Sequence, residues 1–133
     1  MHDYLRRDPM RLQESGELYL EAILVLHKNR GHVRSVDISE YLGYSKPSVS
    51  RAVGLLKSGA YIQVENDGSI TLTDTGREIA EKIYERHTVL SAMLMQLGVS
   101  QEVAAADACR LEHAISDESF LAIKRHMEQY LVK

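Results

Sequence analysis

The chain has a single cysteine, Cys109, among its 133 residues. That excludes an intrachain disulfide and suits a reducing compartment, so the expected location is the cytoplasm. No apolar run approaches a membrane span, and the N-terminus lacks the apolar core of a signal peptide. Low-complexity segments and internal repeats are missing too. There is no basic excess either: 16 Lys and Arg face 19 Asp and Glu, for a net charge of −3. That balance argues at first against nucleic acid, but its distribution softens the argument. Residues 1–73 hold 9 basic and 9 acidic side chains, and residues 74–133 hold 7 and 10, so the excess lies in the second part. A protein that binds DNA only in some states needs well-placed Lys and Arg, not a basic chain overall. The remaining composition, 44% hydrophobic and 26% charged, is that of a globular chain with room for one core or two small packed domains.

The segment Met1 to Arg11, with Arg6, Arg7, Arg11 and Pro9, reads as a mobile or partly helical arm. From about Leu12 to Asn29, Tyr19, Ala22, Ile23 and Leu26 recur at helical spacing, and Gly31 ends that helix. Ser35 is the expected N-cap of a short helix over Val36 to Leu42. Gly43 gives a tight turn, Ser45 caps a second helix, and Pro47 falls in its first turn, where proline is tolerated. That helix carries Val49, Ala52, Val53 and Leu56 on one side and ends near Gly59. Two short helices joined in this way form a helix-turn-helix. Extended runs at Tyr61 to Glu65 and Ser69 to Leu72 flank Asn66-Asp67-Gly68, a hairpin turn that completes a winged helix. Thr73 or Asp74 caps a long amphipathic helix to about Leu97, with Ile79, Ile83, Leu90 and Leu94 on its apolar stripe. Gly98 stops it, and Ser100 caps another helix to about Ile115, with Ala104, Ala108, Leu111 and Ile115 as its core stripe. A last helix from Asp117 carries Phe120, Ile123, Met127 and Leu131. The expected fold is mainly α: a winged helix-turn-helix over residues 1–75, joined by the long helix to a small helical domain over residues 76–133.

A recognition helix needs short polar or cationic side chains at its N-terminal end, where base edges and phosphates lie. Ser45, Lys46, Pro47, Ser48, Ser50 and Arg51 occupy that end. Serine hydroxyls and backbone N–H groups suit phosphates, and Arg51 suits a guanine edge. Lys57 further along the helix and Asn66 on the wing are candidate backbone contacts. These residues also fit a merely solvated face, and some winged helices bind protein instead.

The second constellation is Cys109, Glu112 and His113. The spacing i, i+3, i+4 puts a thiol, a carboxylate and an imidazole on one helix face, all three donors to a divalent transition metal. His87 lies near the apolar side of the long helix, where a lone histidine is more often a packing residue than a ligand. Gly98 lets the two helices fold back antiparallel, bringing His87 near the Cys109 face. The other histidines, His2, His27, His32 and His126, lack partners at ligand spacing and read as surface or packing residues, with His2 beside Asp3 an adventitious site.

The run Asp107-Ala108-Cys109-Arg110-Leu111-Glu112-His113 with Ser116-Asp117-Glu118 resembles the metal-binding helix of the diphtheria toxin repressor and manganese transport regulator family. The resemblance spans roughly Gly16 to Asp117. It takes in Tyr19-Leu20-Glu21-Ala22-Ile23, Ser45-Lys46-Pro47-Ser48-Val49-Ser50, Leu72-Thr73-Asp74-Thr75-Gly76 and Arg86-His87. It implies an iron- or manganese-dependent transcriptional repressor. His87, Glu112 and His113 match ligand positions used throughout the family. Cys109 matches a position that is cysteine in iron-type members and glutamate in manganese-type members. Glu21 matches a first-helix carboxylate ligand of the manganese type. The chain ends after the helical domain, without the SH3-like domain of the long iron-type members, so its architecture resembles the manganese type. Leu18 stands where both branches have a ligand, and leucine cannot coordinate. Ser91 and Ala105 stand where iron-type members place ligands of a second site, which is expected to be absent in its familiar form. Glu14 and Glu17 lie close to Glu21 but fit a solvated acidic face better.

Thiolate, imidazole and carboxylate together favour Fe(II), with Mn(II) second and Zn(II) or Co(II) able to bind in vitro. Oxidation of Cys109 would couple metal sensing to redox. The expected mechanism is a population shift in which metal fixes one domain against the other. The resemblance further implies a homodimer, built from the C-terminal helices, on palindromic double-stranded DNA; Phe120, Ile123 and Met127 suit that interface or the intrachain core equally. The competing class is a metal-independent winged-helix transcription factor with a vestigial or structural metal site. An enzyme is not expected, because no nucleophile–base pair or substrate loop accompanies the donors. No membrane association is expected either.

Overall fold

Apolar side chains at helical spacing close the first helix, α1 (Glu14–Arg30), onto α2 (Ser35–Leu42) and α3 (Lys46–Ser58). The computed structural model describes the backbone of residues 14–132 and the side chains of residues 14–129. The arm at Met1 to Arg11, Leu12, His2 and the side chain of Leu131 lie outside the described residues. Strands β1 (Ile62–Val64) and β2 (Ile70–Leu72) follow, then α4 (Asp74–Gln96), α5 (Gln101–Ala114) and α6 (Asp117–Val132). The chain divides into two compact units, with the boundary between Glu81 and Lys82 inside α4.

In the first unit, Leu20, Ile23, Leu24, Leu26, Val33, Ile38, Val49, Val53, Leu56, Ile62 and Ile70 form one buried cluster. The helix ends follow local chemistry. Gly31 and Gly43 take left-handed backbone, with φ of 74° and 73°, just past α1 and α2. Ser45 caps α3, its Oγ accepting from the Ser48 amide at 3.3 Å, with Pro47 in the first turn. One expected cap differs: Ser35 is the first helical residue of α2, and Arg34 holds the N-cap place. Asp37 explains the shift. Its Oδ2 accepts from the Arg34 amide at 2.8 Å, and its Oδ1 binds Arg30 at 2.8 Å, so the carboxylate caps backwards from inside the helix.

Strands β1 and β2 pair antiparallel with Ile62 opposite Leu72 and Val64 opposite Ile70. In the turn between them, Asp67 Oδ1 accepts from the amide and hydroxyl of Ser69 at 3.0 and 2.7 Å. The wing is tied to the helices at its base: the Ile70 amide donates to Val33 O at 2.7 Å, and a His27 ring nitrogen lies 3.1 Å from Ile70 O. Thr73 caps α4, its Oγ1 accepting from the Gly76 amide at 3.1 Å. A Cβ on Gly76 would lie 2.0 Å from Tyr61 O, so only glycine allows the helix to start this close to β1.

In the second unit, Ile83 and Leu90 of α4, Ala104 and Ala108 of α5, and Phe120 and Met127 of α6 are buried. Gly98, with φ of 101°, makes the break between α4 and α5, and Ser100 caps α5 through the Val103 amide at 3.4 Å. The expected α5 core stripe needs one correction. Leu111 is 40% exposed, and the next residue, Glu112, is fully buried in its place. The buried row is Ala104, Ala108 and Glu112, at i, i+4 and i+8, so the face turned inward carries a carboxylate where leucine was expected.

Candidate metal and nucleic-acid sites

Glu112 is the centre of the polar cluster in the second unit. It is 0% exposed, although an ionised carboxylate in an apolar interior is costly unless it is paired. Two imidazoles approach it. His87 Nδ1, from α4, lies 2.8 Å from Oε1, and His113 Nε2, from the next position of α5, lies 3.3 Å from Oε2. The second approach is within electrostatic reach but outside hydrogen-bond geometry, and Oε2 makes no hydrogen bond among the described residues. The antiparallel return of α5 after Gly98, which the sequence anticipates, is what brings His87 to Glu112 across 25 positions.

His87 is one-third exposed on its side chain, whereas His113 is almost wholly buried. The hydrogen bond to Glu112 raises the His87 pKa above its ordinary value; burial opposes this, and the carboxylate charge reinforces it. Cys109 sits one turn before His113 on α5 and is half-buried. Glu21 lies on the buried face of α1, in the first unit.

This donor set suits a divalent ion. It offers a buried carboxylate oxygen without a hydrogen bond, and two imidazole nitrogens around the same group. Neighbouring ligands on an ion with bonds of about 2.1 Å lie about 3 Å apart, which is also the spacing of a hydrogen bond. The 2.8 Å separation fits either a proton or a metal between the groups, and the 3.3 Å one, outside hydrogen-bond geometry, is near the spacing of two ligands on one ion.

Sequence patterning overlooked one residue here. Arg86 is 6% exposed, and its guanidinium reaches the carbonyl oxygens of Glu112 and Ile115 at 3.1 and 2.7 Å. It also pairs with Asp117 and lies over the Phe120 ring at 5.4 Å from the centroid. A signal was available, since Arg86 falls at i+3 from Ile83 and i−4 from Leu90, within the apolar stripe of α4.

The nucleic-acid candidates lie on α3 and the wing. Lys46, Pro47, Ser50, Arg51 and Lys57 are exposed on the helix, and Asn66 is exposed at the hairpin turn. Ser45 and Ser48 are partly engaged with each other: the Ser45 hydroxyl donates to Ser48 Oγ at 2.9 Å while it caps the helix. Val49, Val53 and Leu56 hold the opposite side of α3 in the core, which leaves the polar side outward.

A helix-turn-helix with a two-stranded wing, followed by a helical unit that buries a carboxylate between two histidines, defines a metal-responsive winged-helix regulator. Comparison with known proteins agrees over most of the chain. Residues 11–70 match the model of the iron dependent repressor, N-terminal DNA binding domain, and residues 73–131 match that of the iron dependent repressor, metal binding and dimerisation domain. The chain belongs to this iron-dependent repressor family of metal-dependent transcriptional regulators, the one that includes the manganese regulators. The transcriptional regulator MntR of Salmonella typhimurium is 35% identical over 112 residues, which cover 84% of this chain and 71% of that one. An uncharacterized HTH-type transcriptional regulator of Methanocaldococcus jannaschii is 32% identical over 121 residues, 90% of this chain and 97% of that one. Among solved structures, a manganese-dependent transcriptional repressor in complex with manganese superposes with a TM-score of 0.78 at 27% identity, covering 85% of this chain and 52% of that one. The manganese regulator SloR superposes with a TM-score of 0.77 at 24% identity, a likeness of fold. The chain spans about half the length of these two structures, 52% and 53%. No helix among the described residues is long and apolar enough to cross a membrane.

Proposed function

We propose that the protein is a repressor that binds a palindromic operator as a homodimer when a divalent transition metal is held by His87, Glu112, His113 and Cys109. The observation that carries this reading is the full burial of Glu112 between two histidines, with one carboxylate oxygen lacking a hydrogen bond. A divalent ion held here would supply positive charge to this buried carboxylate. Glu21 is a proposed further ligand on the strength of the family resemblance alone. Glu112 and His113 hold their side of the site through consecutive positions of α5, and His87 holds the other side from α4. Metal binding orders the unit that carries the dimerisation domain, and the dimer sets two α3 helices at the spacing of operator half-sites. Arg51 and Lys46 then face base edges and phosphates, with Pro47 and Ser50 beside them, while Lys57 and Asn66 reach the backbone.

The donors favour Fe(II) as the co-repressor, because Cys109 adds a thiolate to imidazole and carboxylate; Mn(II) is the second choice. A thiolate ligand and a DNA target both fit a reducing cytoplasm.

The test is an anaerobic titration of Fe(II) and Mn(II) into metal-free protein with a palindromic promoter fragment. Operator binding that appears with metal and disappears with chelator supports the switch. Equal binding with and without chelator overturns it in favour of a metal-independent regulator.

A further inference from the structure

We propose that Arg86 is the positioning residue of this metal centre, fixing Glu112 through its backbone while His87 engages the same residue through its side chain. The inference rests on the metal reading of the cluster given above.

The C-terminus of α5 presents a specific difficulty. Its last carbonyl groups have no partners within the helix, and they carry the negative end of the helix dipole. They end beside a buried carboxylate, so an unfavourable concentration of negative charge sits at the turn that supplies Glu112 and His113. Arg86 answers this directly. Nη1 donates to Glu112 O at 3.1 Å and to Ile115 O at 2.7 Å, and Nη2 pairs with Asp117 at the start of α6. The face of the guanidinium lies over Phe120 of α6. One planar cation therefore joins α4, the end of α5 and the start of α6.

The fork geometry matters here. Guanidinium donors point in fixed directions, so satisfying two carbonyls and a carboxylate together specifies where the end of α5 lies relative to α4. Arg86 and His87 are consecutive on α4. Whatever places the guanidinium also places the imidazole, and the distance between His87 Nδ1 and Glu112 Oε1 is set by both grips on Glu112. Arg86 grips Glu112 at its backbone carbonyl, not at the carboxylate proposed to hold the metal. It acts through Glu112, and Arg86 Nε stays buried without a hydrogen bond among the described residues.

The experiment uses the full chain with Co(II) as a spectroscopic probe, under anaerobic conditions and at a temperature where circular dichroism shows each variant folded. Arg86→Met, which keeps length and burial, is expected to bind Co(II) about 10- to 100-fold more weakly than wild type. Its Co(II) absorption bands should shift, because the ligand geometry has loosened. Arg86→Lys should recover part of the affinity, since it restores the charge but not the fork. Wild-type affinity and an unchanged spectrum in folded Arg86→Met, with only thermal stability lowered, would overturn the proposal. If Arg86→Met fails to fold, Arg86→Lys decides: weakened Co(II) binding in that folded variant supports the proposal, and wild-type binding overturns it. If the wild-type chain does not bind Co(II), the metal reading itself fails and this inference falls with it.

Discussion

His87 Nδ1 and Glu112 Oε1 stand 2.8 Å apart, on two different helices, with the carboxylate fully buried and the imidazole partly open. The separation is that of a hydrogen bond, which a metal ion held by both groups would have to replace. Much of the expected behaviour of the protein follows from that exchange.

Glu112→Gln keeps the shape of the side chain and removes its charge. We expect the variant to fold and to lose metal-dependent operator binding, with metal affinity down at least 100-fold by calorimetric titration. Retention of wild-type affinity would show that Glu112 is a core residue rather than a ligand.

Proton competition has a definite sign. The His87 pKa is raised, chiefly by the hydrogen bond to Glu112, so the imidazole is protonated over a wider pH range than a free histidine. Apparent metal affinity should therefore be highest above that raised value and fall as pH drops through it. In metal-free protein the same shift means that the His87 contribution to stability is fully present below the unfolded value and is lost as pH rises through the folded one. Metal titrations at a series of pH values, with His87→Asn as control, check the first statement. An affinity that does not change across this window would count against His87 as a ligand.

Asp117 is expected to contribute to stability in acid. Its pKa is lowered, first by the hydrogen bond and charge of Lys82, 3.1 Å away, and then by Arg86. Its contribution is present above the unfolded value and lost as pH falls through the depressed folded one. Asp117→Asn should flatten the pH dependence of stability in that acid window and leave the neutral-pH fold intact. Urea unfolding followed from neutral to acid pH reads this out.

At Gly76 the constraint is steric. A methyl group there would meet Tyr61 O at 2.0 Å, backbone that cannot move without disturbing β1. Gly76→Ala is expected to destabilise the first unit by about 1–3 kcal/mol, despite the better helix propensity of alanine. A denaturant midpoint equal to wild type would contradict this.

For DNA, Arg51→Ala should weaken operator binding by about 1–3 kcal/mol while metal affinity is unchanged. Fluorescence anisotropy with a labelled operator, alongside metal titration of the same variant, separates the two. Loss of metal affinity in this variant would mean that its exposed position on α3 had been misread.

Helix ends were largely legible in the sequence because they are set by neighbours along the chain. Gly31, Gly43, Gly98, Ser45, Ser100 and the Asn66-Asp67-Gly68 turn act within a few residues, and each falls where local chemistry puts it. The exception at α2 is itself local: Asp37 competes with Ser35 and moves the helix start by one residue. The α5 stripe was harder to read. Leu111 and Glu112 are adjacent, and apolarity alone favours burying leucine. The carboxylate is buried instead, with His87 Nδ1 at 2.8 Å and His113 Nε2 at 3.3 Å from its oxygens, and His87 comes from another helix.

The sequence by itself determined the order of elements, the winged helix-turn-helix and the presence of a donor triad on one helix face. These depend on periodicity, capping and turn residues that act over at most a few turns. Only the tertiary structure decided that Glu112 lies inside, that His87 meets it, and that the arginine beside His87 grips the end of α5. Burial of a polar group depends on which charges and donors the folded chain brings within about 3–4 Å of it, and the partners on α4, His87 and Arg86, are 25 and 26 positions from Glu112.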